Sequence, residues 1–169
     1  MGASRTAPRR VWLLKTEPES FSFDDLLSAP KKRARWDGVR NYQARNFLRD
    51  DVAIGDLALV YHSSADPTGV VGLARVVKAA EPDPTQFDPD DDHFDGKSQR
   101  EEPRWVQIEI EALARLPQIV TLAMLKADPR LARMLVVQRG QRLSVQPVQA
   151  GEARAVLELA GLDPAKFLS

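Results

Sequence analysis

The amino-acid sequence predicts an α+β fold: a small mixed β-barrel of five to seven strands, with short helices inserted around it. Three observations support this prediction. Short segments that are apolar or alternate in polarity, as strands do, recur along the chain. Short helices with recognisable capping residues lie between these segments. The strands do not alternate regularly with long helices, so a doubly wound nucleotide-binding fold is not expected.

The predicted strands are apolar runs bounded by polar or turn residues. They cover residues 11–16, 57–63, 70–80, 105–111, 135–138 and 143–148. Segment 105–111 alternates most regularly, with Val106, Ile108 and Ile110 expected to face inward and Gln107 to face outward. The last two strands flank a predicted turn at residues 139–142.

The predicted helices begin at residues that cap helix N-termini well. They cover residues 22–27, 41–50, 121–127, 129–134 and 152–159. Ser22, Asn41 and Thr121 are the proposed N-caps, and Asp128–Pro129 starts the fourth helix. Residues 31–35 are predicted to form a basic loop, and residues 81–103, with four prolines, a long irregular surface loop.

Composition excludes several classes of function. The 169 residues fit one domain, expected at residues 11–169 after a disordered basic tail at residues 1–10. The absence of cysteine rules out disulfides and zinc–thiolate sites, and two histidines are too few for a multi-histidine metal centre. No apolar run approaches the roughly 20 residues that cross a bilayer. We therefore expect a cytoplasmic monomer with no cofactor, bound metal or membrane partner.

Positive charge is concentrated in one segment of a chain whose 24 basic and 24 acidic residues balance. Residues 31–49 contain seven basic residues and one acid, Asp37. On the helix predicted to start at Asn41, one face carries Tyr42, Arg45, Asn46 and Arg49, opposite Ala44, Phe47 and Leu48. Two interpretations stay open: a surface that contacts phosphates, or a solvated helix face beside a core tryptophan.

Negative charge is concentrated at residues 81–95, with seven acids and no lysine or arginine. A divalent-metal loop of Asp90, Asp91, Asp92 and His93 is one interpretation, but the EF-hand pattern is absent and a solvated acidic loop is favoured. Trp105 follows this segment on the polar phase of its strand, so it packs under a loop or lines a binding cleft. Trp12 in the first strand is expected in the core.

Several motifs in the same order resemble the EVE domain family. They are WLLKTEP at 12–18, WDGVRNYQARN at 36–46, GD at 55–56, YHS at 61–63, GVVG at 69–72, DPT at 83–85, PRW at 103–105 and RGQRLSVQP at 139–147. The resemblance spans about residues 11–159, nearly the whole chain. It implies a PUA-like fold, related to the YTH and ASCH domains.

The resemblance also implies a non-catalytic domain that binds DNA or RNA. Its expected ligand is a flipped-out modified base: methylated or hydroxymethylated cytosine, or methylated adenine. Such a domain must recover the free energy of unstacking a base through aromatic stacking and hydrogen bonds to the base edge.

We assign roles to residues of this chain on that basis. The base pocket is expected to contain Trp36, Asn41, Tyr42, Tyr61, Ser63, Trp105 and Gln146. The phosphate contacts are expected from Lys15, Arg40, Arg45, Arg49 and Arg139. The four aromatic residues, with Asn41 and Ser63, are expected to converge on one cavity.

Two other functions stay open. A small hydrolase or nuclease like some ASCH-type relatives would need a general base and a charge stabiliser, for which Glu17 and Lys15 are the best available pair. A protein-interaction domain would use the exposed aromatic residues.

Overall fold

A computed structural model describes residues 9–168, which form a mixed sheet of six strands that is roughly barrel-like without closing. The strands are β1 (Val11–Thr16), β2 (Arg33–Trp36), β3 (Leu57–His62), β4 (Gly69–Pro82), β5 (Val106–Thr121) and β6 (Val145–Val148), in the spatial order β2-β5-β4-β3-β1-β6. The helices are α1 (Phe23–Ser28), α2 (Tyr42–Asn46), α3 (Leu122–Ala127) and α4 (Ala150–Ala160). This arrangement confirms the predicted α+β class and the predicted number of strands.

One strand pair is parallel, and its geometry positions the candidate site. β1 runs parallel to β3, with Lys15 opposite Tyr61 and Thr16 opposite His62, whereas the other strand pairs are antiparallel. The backbone continues the pairing, because the Ser63 N–H donates to the Thr16 carbonyl at 2.9 Å. The carboxyl ends of both strands therefore meet at one edge of the sheet.

The sheet separates two hydrophobic clusters, because successive strand residues point to opposite faces. Leu13 packs with the buried residues of α4, whereas Trp12 and Leu14 pack with Leu48 and with Phe23 of α1. Trp12 is 2% exposed and its indole Nε1 donates to Asp56 Oδ2 at 3.0 Å, so the expected core position is confirmed.

Residues 33–36 form a strand where the sequence predicts a loop. β2 pairs antiparallel with β5, with Ala34 opposite Ile110 and Trp36 opposite Ile108. Three of these four residues expose or half-expose their side chains, so no apolar run marks the strand. The hydrogen-bonding edge of β5 induces the extended conformation, which local sequence does not reveal.

The second half of the chain differs from prediction in the length and type of its elements. Residues 135–138, predicted as a strand, contain a single helical turn at Leu135–Val137, and the predicted helix at 129–134 is a turn at Pro129–Leu131. β5 continues to Thr121 rather than ending at residue 111, because the 14-residue β4 pairs along it. Gln107, predicted to face outward, is 3% exposed, and its Nε2 donates to Glu81 Oε1 at 3.1 Å.

The predicted N-caps of the helices near the site are confirmed. Ser22 and Asp25 form a reciprocal capping box at α1, and Asn41 Oδ1 accepts from the Ala44 N–H at 2.9 Å at α2. A wider helical turn at Phe47–Asp51 extends α2 to about the predicted end. Ala44 and Leu48 are buried, as the predicted apolar stripe requires.

Most of the predicted N-terminal tail, residues 1–8, lies outside the described residues. Within residues 9–168, no helix is long and apolar enough to cross a membrane.

Candidate functional site

A pocket with a volume of about 450 Å³ opens beside the carboxyl end of β1. We call it the Trp36 pocket. It is lined by Lys15, Thr16, Ser20, Phe21, Arg35, Trp36, Asp37, Gly38, Val39, Arg40, Asn41 and Ser144. Trp36 is 6% exposed, and the Phe21 ring meets it edge-on at a centroid distance of 6.1 Å. The pocket thus combines an aromatic wall with several hydrogen-bonding groups, as small-ligand sites do.

The loop at residues 37–41 is held in place by Asp83, which is completely buried. The Gly38 N–H donates to Asp83 Oδ2 at 2.8 Å, and Gly38 has a φ of +77°, a backbone conformation that favours glycine. A Cβ at this position would lie 2.8 Å from the His93 ring, so the close packing of the acidic loop also requires glycine.

Arg40 fastens the same loop through all five of its N–H donors. Its guanidinium bonds the carbonyl oxygens of Val39 and His93, the Asp83 carboxylate and the Thr85 hydroxyl. The contact to Asp83 Oδ2 is 3.1 Å. No donor remains for a phosphate, so the interpretation of Arg40 as a phosphate-binding residue is not supported by this geometry.

Hydrogen bonds also set the charge state of Asp83. Burial alone would raise the pKa of this carboxyl, but donors from Thr85, Gly38 and Arg40 outweigh burial and lower it below its usual range. Asp83 is therefore an ionised, fully bonded anchor under the pocket loop.

Asn41 lines the pocket and has an unused donor group. Its side-chain oxygen caps α2, whereas its amide nitrogen donates to no acceptor among residues 9–168. Asp37 also lines the pocket. Solvent reaches its carboxylate through the open mouth, yet the surrounding walls limit its hydration and raise its pKa.

A second depression of about 530 Å³, which we call the Tyr61 cleft, lies next to the Trp36 pocket and shares Lys15 with it. It is lined by Lys15, Tyr61, Ser63, Thr68, Leu122, Lys126 and residues 136–141, including Arg139. Lys15 Nζ donates to the Gln141 carbonyl at 3.3 Å and lies 5.9 Å from the centre of the Tyr61 ring. Burial lowers the pKa of Lys15.

Tyr42 and Trp105 form a third group, which lines neither depression but touches Arg40 of the Trp36 pocket. Their rings stack at a centroid distance of 4.8 Å, and Arg45 lies 4.8 Å from the Tyr42 ring centre. The Trp105 Nε1 donates to Asp95 Oδ2 at 2.8 Å, and Arg40 lies over the Trp105 ring. Trp105 is 5% exposed and packs under the acidic loop, which decides between the two interpretations of its sequence position.

The expected convergence of these residues on one cavity is therefore wrong. Trp36 and Asn41 line the Trp36 pocket, and Tyr61 and Ser63 line the Tyr61 cleft. Tyr42 and Trp105 line neither. Local phase on a strand or helix indicates which face a side chain takes, but it does not indicate which neighbouring element covers that face.

Three further predicted residues lie outside both depressions. Gln146 is 1% exposed, and its Nε2 donates to the Leu143 carbonyl at 2.9 Å. Arg45 bonds the Arg104 carbonyl and the Asn46 side chain, which leaves part of its guanidinium available. Arg49 is exposed and pairs with the neighbouring Asp50.

Three residues that the site uses were not predicted from the sequence: Phe21, Asp37 and Lys126. Asp37 carries a signal, since it is the one acid among the seven bases of residues 31–49. Lys126 carries none, because only the folding of α3 against the 136–141 loop brings it to the Tyr61 cleft.

The acidic loop shows no metal-binding geometry. His93 Nδ1 contacts Asp91 Oδ1 at 3.2 Å, but across residues 9–168 no three acidic or histidine side chains are grouped to hold an ion.

A larger cavity of about 850 Å³ lies at the opposite end of β1, between Trp12, Phe47, Pro147 and the start of α4. Arg9, Arg10 and Arg154 also line it. None of the predicted site residues line this cavity.

Comparison with known proteins agrees with the fold and motifs. A model of the EVE domain family matches residues 10–159. Human thymocyte nuclear protein 1 is 39% identical over 170 residues, which cover 90% of this chain and 75% of that protein. A crystal structure of a Pseudomonas syringae protein is 44% identical with a TM-score of 0.84, covering 89% of this chain and 99% of that one.

A second structural relative was solved with a ligand. Human THYN1 in complex with DNA containing 5-methylcytosine is 38% identical, with a TM-score of 0.85, covering 92% of this chain and 99% of that chain. The family match across most of the residues, and the identity and coverage of these relatives, establish that this chain belongs to the EVE domain family.

Proposed function

We propose that this protein is a non-catalytic DNA- or RNA-binding domain that accepts one flipped-out, modified base in the Trp36 pocket. The observation that carries the proposal is the juxtaposition of an aromatic-walled pocket with a basic cleft, joined at Lys15. The complex of human THYN1 with 5-methylcytosine-containing DNA supports 5-methylcytosine as the first ligand to test.

The pocket supplies what an extruded base requires. Extruding a base from its stack costs a few kcal/mol of free energy. Aromatic stacking and hydrogen bonds to the base edge in the pocket must offset this cost. Trp36 and Phe21 offer apolar aromatic surface, and each base–aromatic contact is worth about 1–3 kcal/mol. A methyl group on the base adds about 0.8 kcal/mol when it is buried.

The Tyr61 cleft supplies the phosphate contacts in this proposal. Lys15, Lys126 and Arg139 line it, so three cations lie beside the pocket, and we assign them to the phosphates of the extruded nucleotide. Arg45 and the exposed Arg49 lie on α2 and its extension, outside the cleft, and supply further phosphate contacts in this proposal. Arg40 is left out because its donors are occupied within the protein.

No observation favours a hydrolase or nuclease. Lys15 Nζ contacts a backbone carbonyl rather than Glu17, and Glu17 lines neither depression. A protein-interaction domain is also less well supported, because the most exposed aromatic ring, Tyr42, is already engaged by Trp105 and Arg45.

The proposal is tested with short fluorescent oligonucleotides that differ at one position: 5-methylcytosine, cytosine or an abasic site. The phosphate number stays constant, so the affinity difference between 5-methylcytosine and the abasic site measures base binding alone. Trp36→Leu should reduce this difference about tenfold through the lost stacking. Trp12→Leu is the matched control, because Trp12 is a buried tryptophan of the same cluster that lines the opposite cavity.

The phosphate contacts are tested separately. Lys126→Glu combined with Arg139→Glu should weaken binding of all three oligonucleotides equally and reduce the salt slope by about 0.7 per lost contact on a single strand. Arg154→Glu, in the opposite cavity, is the charge-matched control. Unchanged base binding in folded Trp36→Leu, or an unchanged salt slope in the double variant, would contradict the proposal. Matched RNA oligonucleotides decide which nucleic acid is preferred.

A further inference from the structure

Asp37 is an acidic side chain without a basic partner in the most basic part of the chain. Among residues 9–168 its carboxylate forms no ion pair with lysine, arginine or histidine, although seven basic residues lie in the segment 31–49. Nearby Asp83 and Asp95, in contrast, are bonded to arginine or tryptophan side chains. Asp37 instead lines the Trp36 pocket.

The backbone on both sides of Asp37 is fixed by hydrogen bonds and strand pairing. Asp83 binds the Gly38 N–H at 2.8 Å, Arg40 is bonded through five donors, and Asn41 caps α2. Trp36, on the other side, lies in β2 and pairs with Ile108 of β5. Such fixed placement of a hydrogen-bonding group is what discrimination between ligands requires.

Partial desolvation raises the pKa of Asp37, and the negative charges of Asp83 and Asp91 raise it further, whereas His93 and a hydrogen bond from the backbone of Asp37 lower it. No lysine or arginine side chain pairs with this carboxylate within residues 9–168, so a hydrogen-bond donor on a ligand in the pocket would stabilise its charge.

Asp37 and Asn41 together present a defined pattern to a ligand. The carboxylate accepts hydrogen bonds, and the free amide nitrogen of Asn41 donates them. The pairing edge of cytosine offers the complement, a donor at the 4-amino group followed by acceptors at N3 and O2. Thymine offers acceptor O4 and donor N3–H at the same two positions, so its O4 would face the carboxylate.

We propose that Asp37 is the specificity-determining residue that selects 5-methylcytosine over thymine, by accepting a hydrogen bond from the 4-amino group. The two bases share the C5 methyl group, so stacking and methyl burial cannot separate them, and the discrimination has to come from this edge. The inference rests on the proposed function, since it requires the base to enter the Trp36 pocket.

The test compares single-stranded oligonucleotides with 5-methylcytosine, thymine or an abasic site at one position. Wild type should prefer 5-methylcytosine to thymine by roughly tenfold to hundredfold. In Asp37→Asn, the amide can rotate to present oxygen to an amino group or nitrogen to O4. The ratio should fall to about one, mainly through a gain in thymine affinity, which a purely structural defect would not produce.

Asp92→Asn is the matched control, because it removes the same charge from an exposed acid that lines neither depression. Thermal melting establishes that each variant is folded. An unchanged ratio in folded Asp37→Asn, or an equal loss for both bases, overturns the inference. If Trp36→Leu abolishes base binding in that case, the pocket proposal survives. If wild type and Trp36→Leu show no base-dependent binding, the proposed function fails as well.

Discussion

Asp83 provides the sharpest test of how the pocket loop is held. Its side chain is completely buried, while that of its partner Arg40 is 21% exposed. Asp83→Ala removes the acceptor for the Gly38 N–H at 2.8 Å, for the Arg40 guanidinium at 3.1 Å and for the Thr85 N–H and hydroxyl at 2.8 and 2.6 Å. The variant thus leaves one positive charge and three further donors without their acceptor.

The loss of unfolding free energy can be estimated from the broken ion pair. Removing one partner of a buried ion pair typically costs 3–5 kcal/mol. Arg40 keeps its other hydrogen bonds and some contact with water, so we expect the lower end of the range, about 3 kcal/mol. For a chain of this length, that loss lowers the melting temperature by about 6–12 °C. Because Gly38 and Arg40 belong to the pocket loop, affinity for a base should fall as well.

The assay is urea unfolding followed by tryptophan fluorescence, with Asp50→Ala as the control. Asp50 also pairs with an arginine, but it is exposed, so its removal should leave the unfolding free energy unchanged.

The pH dependence gives a second check. The lowered pKa of Asp83 means that its contribution to stability is complete above the ordinary aspartate pKa near 3.9 and is lost as pH falls through the lower folded value. The difference between wild type and Asp83→Ala should therefore shrink on acidification below about pH 4. A loss under about 1 kcal/mol at neutral pH, or a loss independent of pH, would refute the reasoning.

Two further predictions concern a histidine and the α2 surface. The Phe23 N–H donates to His62 Nε2 at 3.0 Å, and burial lowers the pKa of His62, while Asp24 opposes this shift. Protonation removes the acceptor, so wild-type stability should decline as pH falls from about 6.5 through the lower folded pKa. His62→Gln keeps an acceptor oxygen at all pH values, so melting temperatures between pH 7 and pH 5 should vary less in this variant; an equally steep profile would exclude His62 as the cause. Replacing Arg45 and Arg49 with glutamate should weaken binding to all oligonucleotides and flatten its salt dependence, whereas unchanged affinity in a folded variant would place the phosphate contacts elsewhere.

Local sequence was sufficient for elements whose own side chains encode their conformation. The apolar run of β1 predicted its bounds, because alternate residues of this central strand are buried on both faces of the sheet. The cap at Asn41 and the stripe of Ala44 and Leu48 predicted α2, because both signals lie within one or two helical turns. The family motifs predicted the overall fold through their order along the whole chain.

The candidate site was predicted only in part, because its two depressions are built by contacts between distant segments. The basic segment, Trp36 and Asn41 were identified correctly as neighbours, since they lie within a few residues of each other. Tyr61 at the end of β3 and Ser63 just after it line the same cleft, as their spacing predicted, but elements other than those expected cover that side. Hydrophobic periodicity in the sequence predicts which face of an element a side chain takes, but it does not predict which other element packs on that face.

The sequence by itself therefore determined the class of fold, the family, the capped helix and the concentration of positive charge at residues 31–49. Only the tertiary structure decided which of those charges are free. Arg40 is bound to Asp83 and to the His93 carbonyl, 43 and 53 residues away. Likewise, Lys126, outside that segment, reaches the Tyr61 cleft only because α3 folds beside residues 136–141. The physical reason is that a charged side chain can bind a ligand only if it stays hydrated and its hydrogen-bonding groups are not used by partners within the protein. Both are set by chain segments that meet only when the sheet has formed.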